Sequence, residues 1–291
     1  MSGEPLLRRI ALEVLGEDAA KRIWKRIDII GDIAVIRKPF GLDADRLRPL
    51  GKALLEKIPY IRSVWLATSP VDGIYRLREL VHLAGERRTE TIYQEHGCKF
   101  KLDITKVYVS LRLSYEHKRI AELVSDGEVI INMYAGAGFF SIIAACRHDV
   151  IAYSIDVNPW AYRYMVINSR LNGVEDKVIP IHGEAKSTVL RVLRGIADRV
   201  LMPLPELALQ HIDAAVAALR DEGYIHVYVH VKARSSRQAI QQAIDSVVTR
   251  ASGYAARVEV EGARIVRTVG PREYQVVVDV RVARPAPFAG F

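Results

Sequence analysis

A chain of 291 residues, half of them hydrophobic and 26% charged, is long enough for one large or two ordinary domains with buried cores, and its composition is that of a soluble globular protein. No apolar run reaches the roughly 20 residues of a membrane-spanning helix, the N-terminus lacks the charged-then-apolar order of a secretion signal, and two cysteines, Cys98 and Cys146, are too few for a disulfide framework or a metal site. A cytoplasmic protein without membrane or metal is therefore expected, and a net charge of +8 with a pI near 9.4 suits a polyanionic partner.

Residues 5–26 carry Leu6, Ile10, Leu12, Val14, Leu15, Ile23 and Trp24 at helical spacing among Arg and Lys. Ile27 to Ile36 reads as strand, Gly31-Asp32 turn and strand, Asp45 to Lys57 as a helix closed by Pro59, and short strands follow around 63–67, 75–84, 91–95 and 98–103. Residues 1–103 thus form a small α+β domain, and with 19 Lys and Arg against 15 Asp and Glu they hold half of the chain's excess charge. Arg76, Arg78, Arg87 and Arg88 lie close together, and strand arginines sharing a face suit phosphate contacts; the plain alternative is a solvated structural appendage.

Residues 104–284 form the second domain. A connecting segment, 106–113, feeds a helix over 115–124. Strands are then predicted at 128–134, 150–155, 177–182, 197–202 and 223–231, with helices at 138–147, 159–171, 186–194 and 206–220 between them. A helix over 235–250 precedes two β stretches, 254–268 and 273–282, joined only by Val269-Gly270-Pro271-Arg272. Strands separated by helices specify a parallel sheet with helices on both faces, whereas the last two must pair antiparallel. This α/β, Rossmann-like sheet ending in an antiparallel hairpin is the layout of class I S-adenosylmethionine-dependent methyltransferases rather than of dehydrogenases. Residues 285–291 read as a loose tail.

The chemistry centres on Ile130 to Ser141, where an apolar strand runs into Tyr134-Ala135-Gly136-Ala137-Gly138 and a helix opens. Gly136 and Gly138 let the backbone approach a ligand at the helix N-terminus. Asp156 ends the next strand, where a carboxylate accepts hydrogen bonds from both hydroxyls of a ribose. The third glycine of the dinucleotide fingerprint is missing, since Phe139-Phe140-Ser141 stand in its place. Glu184 follows the third strand, either meeting an adenine amino group or simply lying in a surface turn. Pro205-Glu206, after the fourth strand, is a substrate-side position or a plain helix start. Glu116 opens the helix before the glycine loop amid Tyr108, Arg112, His117, Lys118 and Arg119, as an ion-pair member or, facing the cleft, as the best-placed general base. The histidines lack metal-ligand spacing, and His226 and His230 alternate with apolar residues as core or cleft groups.

Taken together, Ile29 to Ile36, Ala84-Gly85 with 89–97, Ser110-Leu111-Arg112-Leu113-Ser114-Tyr115-Glu116, Tyr134 to Ser141, Asp156-Val157-Asn158-Pro159, Leu171-Asn172 and Pro271-Arg272-Glu273-Tyr274 resemble the archaeal and eukaryotic tRNA (guanine-37-N1)-methyltransferases and the related wybutosine-pathway transferases. The resemblance covers about 27–283. It implies S-adenosylmethionine held by Tyr134, Ala135, Gly136, Gly138, Phe140, Asp156, Val157 and Glu184, and a tRNA anticodon arm as partner, with the target base flipped out of its loop. It also implies Glu116 as the base that takes the guanine N1 proton, Arg76 as the group that steadies charge on O6, and Tyr108 as a wall of the base pocket. Ser110-x-Arg112 before Glu116 looks like the methyltransferase branch rather than the aminocarboxypropyl branch. Two positions depart from the family pattern. Asn132 stands where an acidic residue usually opens the glycine motif, and Pro203 replaces the asparagine expected to hold the base edge. The accepted base is thus unmodified guanosine or an already modified, tricyclic one, and a tRNA- and cofactor-binding module without turnover is the reading from another class. The further N-terminal domain that many family members carry is not expected in a chain of this length, and a monomer is favoured.

Overall fold

The alternation of apolar strands and amphipathic helices is realised in a computed structural model that describes residues 4–285; residues 1–3, and the expected tail from 286 onward, lie outside the described residues. The chain divides into two units, one up to Leu111 and one from Arg112. In the first unit the helical spacing over 5–26 is realised as two helices, α1 (Leu6–Leu15) and α2 (Glu17–Arg22), because the chain turns between them at Gly16 with φ 80°, a left-handed conformation that disfavours side chains. Strands β1 (Asp28–Ile30) and β2 (Ile33–Arg37) precede α3 (Ala44–Lys57), whose first turn is capped by Asp43 accepting the Arg46 N–H at 2.9 Å. Strands β3 (Ser63–Ala67) and β4 (Leu80–Gly85) complete a sheet of order β1-β2-β3-β4. Ala34, Ile36, Val64 and Leu66 on one face of this sheet bury against Ile10, Leu47, Leu50 and Leu54 of the helices. The hairpin β5 (Glu90–Glu95) and β6 (Cys98–Asp103) follows.

The strand expected over 75–84 begins only at Leu80. Ahead of it, Asp72 and Leu77 exchange backbone hydrogen bonds of 2.9 and 3.1 Å across a tight turn, and Arg76 sits in that turn at φ 56°. Arg76 and Arg78 therefore do not share a strand face with Arg87 and Arg88. Arg88 is moreover held internally, ion-paired with Asp32 and Glu86.

The second unit runs α4 (Ser114–Leu123), β7 (Val129–Asn132), α5 (Phe139–Ala145), β8 (Ile151–Asp156), α6 (Pro159–Leu171), β9 (Val178–His182), α7 (Ala185–Val192), β10 (Ala197–Met202), α8 (Ile212–Ala218), β11 (Leu219–Lys232), α9 (Ser236–Ser252), β12 (Arg257–Gly270) and β13 (Glu273–Ala283). Its seven strands are ordered β12-β13-β11-β10-β7-β8-β9; β11 through β9 are parallel, and β13 and β12 are antiparallel. The register of β12 against β13 slips at three places, and β9 carries Pro180. Successive strands leave β7 in opposite directions, so the crevice at its carboxyl end is the topological switch point. The helix expected over 206–220 starts only at Ile212. Proline at 203 and 205 removes two backbone donors and disfavours helix at Leu204, so the chain passes 204–211 in isolated turns such as Ala208 N–H to Leu204 O at 3.0 Å. Ile131, Met133, Val200, Met202, Val227 and Val278 lie in the main core, which α7, α8 and α9 help to close.

Candidate active site

The loop Tyr134 to Gly138 lies at the switch point. Gly138 caps α5 at φ 93°, and a Cβ there would come within 2.8 Å of Ile142 Cδ1 and 3.2 Å of Met165 Cγ, so the turn excludes a side chain. A Cβ on Gly136 would meet nothing within 4 Å, so the loop backbone faces open space at that residue. Asp156, at the end of β8, fastens the loop: its Oδ2 accepts the Gly136 N–H at 2.7 Å and its Oδ1 the Asn158 N–H at 2.9 Å. Burial pushes the Asp156 carboxyl up, partly countered by these backbone bonds. A carboxylate has about four acceptor sites, so capacity remains here for a ligand hydroxyl. Val157 beside it is 42% exposed. Asn132 donates to Ser141 Oγ at 3.2 Å, while its buried Oδ1 has no hydrogen-bond partner.

Glu184 caps α7, accepting the Lys186 N–H at 2.9 Å and the Ser187 N–H at 2.7 Å. Burial alone would raise this carboxyl, but the two backbone bonds outweigh it and lower it, so it stays ionised. Tyr134 Oη lies 2.8 Å from His211 Nδ1, and the same nitrogen is 3.7 Å from Glu184 Oε1. Burial lowers His211 and favours the neutral ring, which shares a hydrogen bond with the Tyr134 hydroxyl. His211 thus links the loop to the α7 cap, a role that metal-ligand spacing does not reveal.

Glu116 is 1% exposed on α4, and the cluster around it is assembled from distant strands. Its Oε2 accepts from Arg119 Nε at 3.0 Å and from the Tyr228 hydroxyl at 2.9 Å. Arg119 forks onto Asp279 of β13 at 2.6 and 3.2 Å. Asp279 takes a further bond from His226 Nδ1 at 2.5 Å, and His226 Nε2 meets Arg199 Nη1 at 2.7 Å. Arginine only donates, so Nε2 is the acceptor and the ring proton sits on Nδ1. Burial lowers His226 and keeps it neutral; burial would raise Asp279, but His226 and Arg119 outweigh it and hold that carboxyl down at about 2. Arg199 closes the chain on Glu128 at 2.7 and 2.9 Å. Of the two sequence readings of Glu116, the geometry shows the ion-pair member, with its carboxylate held in one orientation. His226 is a satisfied core group, while Phe140 stands 6.1 Å from the Tyr228 ring and brings that cluster against the first turn of α5. Pro203 follows Met202 at the carboxyl end of β10, half-buried and without a side-chain amide. In the first unit, the Arg76 guanidinium lies over the Tyr108 ring at 4.9 Å.

A parallel sheet closed by an antiparallel hairpin, with a glycine loop at the switch point and a carboxylate at the next strand end, defines a Rossmann-like methyltransferase. Comparison with known proteins specifies which kind. The TRM5/TYW2 methyltransferase domain matches residues 91–261, and the TYW2 N-terminal domain matches residues 7–89. The tRNA 4-demethylwyosine(37)-methyltransferase Taw21 of Saccharolobus solfataricus is 43% identical over 260 residues, covering 89% of this chain and 94% of that protein. Among solved structures, the complex of aTrm5 and tRNALeu superposes with a TM-score of 0.83 at 33% identity, covering 97% of this chain and 79% of that one. TYW2 of Methanocaldococcus jannaschii in complex with AdoMet gives a TM-score of 0.67 at 27% identity, with 89% and 100% coverage. The chain belongs to the TRM5/TYW2 methyltransferase family.

Proposed function

We propose that this protein transfers the methyl group of S-adenosylmethionine to the purine at position 37 of tRNA, and that the acceptor is the tricyclic base 4-demethylwyosine. The observation that carries the choice of acceptor is Pro203, which closes β10 where the resemblance calls for an asparagine on the base edge. A pocket without that amide loses its hydrogen bond to unmodified guanine, and the relative at 43% identity is named for the tricyclic base. N1 methylation of guanosine is the second reading, favoured by the retention of Glu116 as a fixed carboxylate.

The cofactor fits the second unit: Asp156 offers two acceptor oxygens beside an open Gly136, and Glu184 offers an ionised carboxylate one strand further on. Bound there, S-adenosylmethionine supplies an electrophilic methyl on a sulfonium, so one S–C bond breaks as the bond to the acceptor atom forms. Asp156 would orient the ribose hydroxyls, Glu184 the adenine amino group, and Tyr134, Ala135, Gly138, Phe140 and Val157 would shape the remainder. The acceptor atom must shed a proton for a neutral base to leave, and Glu116 takes it. Arg76 and Tyr108 serve the acceptor base, one by charge and one as an aromatic wall. The basic first unit holds the anticodon arm through its phosphates, and the reaction is cytoplasmic. The test is a labelled-cofactor assay on tRNA transcripts and on tRNA carrying 4-demethylwyosine. Methyl label should enter the tricyclic substrate, and Glu116→Gln should slow single turnover by about 10²–10⁴-fold with cofactor binding intact. Label entering only from the aminocarboxypropyl group, or only unmodified guanosine, would overturn the assignment.

A further inference from the structure

Two hydrogen-bond donors converge on one oxygen of Glu116, whereas the other has an ion-pair contact but no hydrogen bond. Oε2 takes the Arg119 Nε–H and the Tyr228 O–H, which uses both of its lone pairs. Oε1 is buried and makes no aligned hydrogen bond, although Arg264 Nη2 lies 3.0 Å away as an ion-pair contact. That guanidinium also lies over the Tyr115 ring, 4.2 Å from its centroid. Buried polar atoms are rarely left without a hydrogen bond, so the one oxygen of this candidate base that lacks one is the atom with capacity to receive a substrate proton.

We infer that Tyr228 is a positioning residue for proton transfer: with Arg119 it fixes Oε2 of Glu116 and thereby presents Oε1 as the atom that receives the substrate's proton. The inference rests on the reading of Glu116 as the base. Tyr228 is fully buried on β11, and its ring meets Phe140 edge-on with centroids 6.1 Å apart, so its hydroxyl ties Glu116 to the helix that opens at the glycine loop. Burial and the neighbouring Glu116 carboxylate push the Tyr228 phenol far up, so it remains a donor throughout the working pH range. Arg119 is fixed in turn by its fork onto Asp279. The chain from Glu116 to Arg199 cannot itself carry a proton away, since two of its members are arginines, which do not give one up. It holds the base and does not relay. The charged and titratable groups facing Glu116 are Arg119 on its own helix, Tyr228 on β11, Arg264 on β12 and, through Arg119, Asp279 on β13 with His226 behind it; α5, whose sequence is FFSIIAA, offers none.

Tyr228→Phe keeps the ring and its packing and removes one O–H donor. On whichever tRNA the wild-type enzyme methylates, the pH profile of the single-turnover rate should move its acid limb upward by about one unit, because a hydrogen bond that favours the ionised carboxylate is gone. Rates on that limb fall about tenfold, and by less on the plateau, while S-adenosylhomocysteine affinity is unchanged. Asp279→Asn should move the limb the opposite way, since it removes a negative charge and leaves Arg119 to Glu116. A merely structural role would lower the rate uniformly at all pH values. An unshifted Tyr228→Phe profile, a uniform loss, or a shift of both variants in the same direction overturns the inference. Should Asp279→Asn fail to fold, Tyr228→Phe alone decides. Glu116→Gln in the same assay separates the two levels: a full rate there overturns the base itself, whereas a slow Glu116→Gln with an unshifted Tyr228→Phe profile overturns only the positioning.

Discussion

Asp156→Asn tests the cofactor site most directly. In the wild-type protein the two carboxylate oxygens accept backbone N–H groups at 2.7 and 2.9 Å, from Gly136 and Asn158. An amide has one acceptor oxygen, so one of those N–H groups must face an NH₂ instead. A donor left unsatisfied in this buried position costs about 1–3 kcal/mol, and the ribose loses charge-assisted hydrogen bonds as well. Together these should weaken S-adenosylhomocysteine binding by about 2–4 kcal/mol, or roughly 30- to 1,000-fold in Kd. Calorimetry on the wild type and the variant measures the total. Thermal unfolding without ligand isolates the loop's share, since each kcal/mol lowers Tm by about 2–4 °C in a unit of this size. Because burial raises this carboxyl, wild-type affinity should begin to fall on acidification at a pH above the ordinary aspartate range, and that dependence should vanish in the Asp156→Asn variant. A variant Kd within about threefold of wild type would refute both the ribose role and the fastening of the loop.

Arg199→Met leaves Glu128 and the His226 Nε2 acceptor without their buried partner, and breaking such a network should cost about 3–5 kcal/mol in urea unfolding; a loss under about 1 kcal/mol would mean that the network contributes little. Stability should decline on acidification in two stages. His226, lowered by burial, contributes fully above its ordinary value of 6.5 and loses that contribution as pH falls below it; Asp279, held at about 2 instead of 3.8, contributes about 2–3 kcal/mol above pH ~4 that is lost as pH falls toward 2. Denaturation midpoints that stay level between pH 7 and pH 3 would contradict this. Binding of tRNA should weaken steeply with salt, as phosphate contacts release counterions, and a flat salt titration would remove the electrostatic account. Pro203→Asn should raise methylation of unmodified G37 transcripts relative to tRNA carrying 4-demethylwyosine, read from the ratio of kcat/KM values; an unchanged ratio would show that position 203 does not select the base.

The parts of the fold that could be read in the sequence are those whose cause is local. A strand running into glycines, a carboxylate at the next strand end and a two-strand closure without an intervening helix each depend on neighbouring residues, and they located the glycine loop and Asp156. The partners of Glu116 were not legible in the same way. Arg119 stands three residues along the helix and was named among its neighbours, but Tyr228 lies 112 positions away and Asp279 lies 160 from Arg119, so only the sheet order brings them together. Misread segments have local causes that periodicity does not weigh. Pro203 and Pro205 delay the start of α8, and the Asp72–Leu77 turn withdraws Arg76 from a strand that its flanking residues suggested. Glu184 shows how the two readings of one residue need not compete, since its carboxylate caps α7 and still has acceptor capacity left over.

The slipped register of β12 and the proline of β9 matter for how this sheet behaves among copies of itself. These two strands are its open borders, and a border strand presents unpaired N–H and C=O groups to which any other extended chain can add. On β12 the three slips interrupt the spacing that such an addition would need, and Arg257, Glu259, Glu261, Arg264 and Arg267 put charge of both signs along its length. On β9, Pro180 removes a donor from the middle of a five-residue strand. Parallel sheets form slowly, because their contacts join distant parts of the chain, and their borders stand open to other molecules while they do. A protein with both borders blunted can complete that assembly at high concentration without recruiting its neighbours into it.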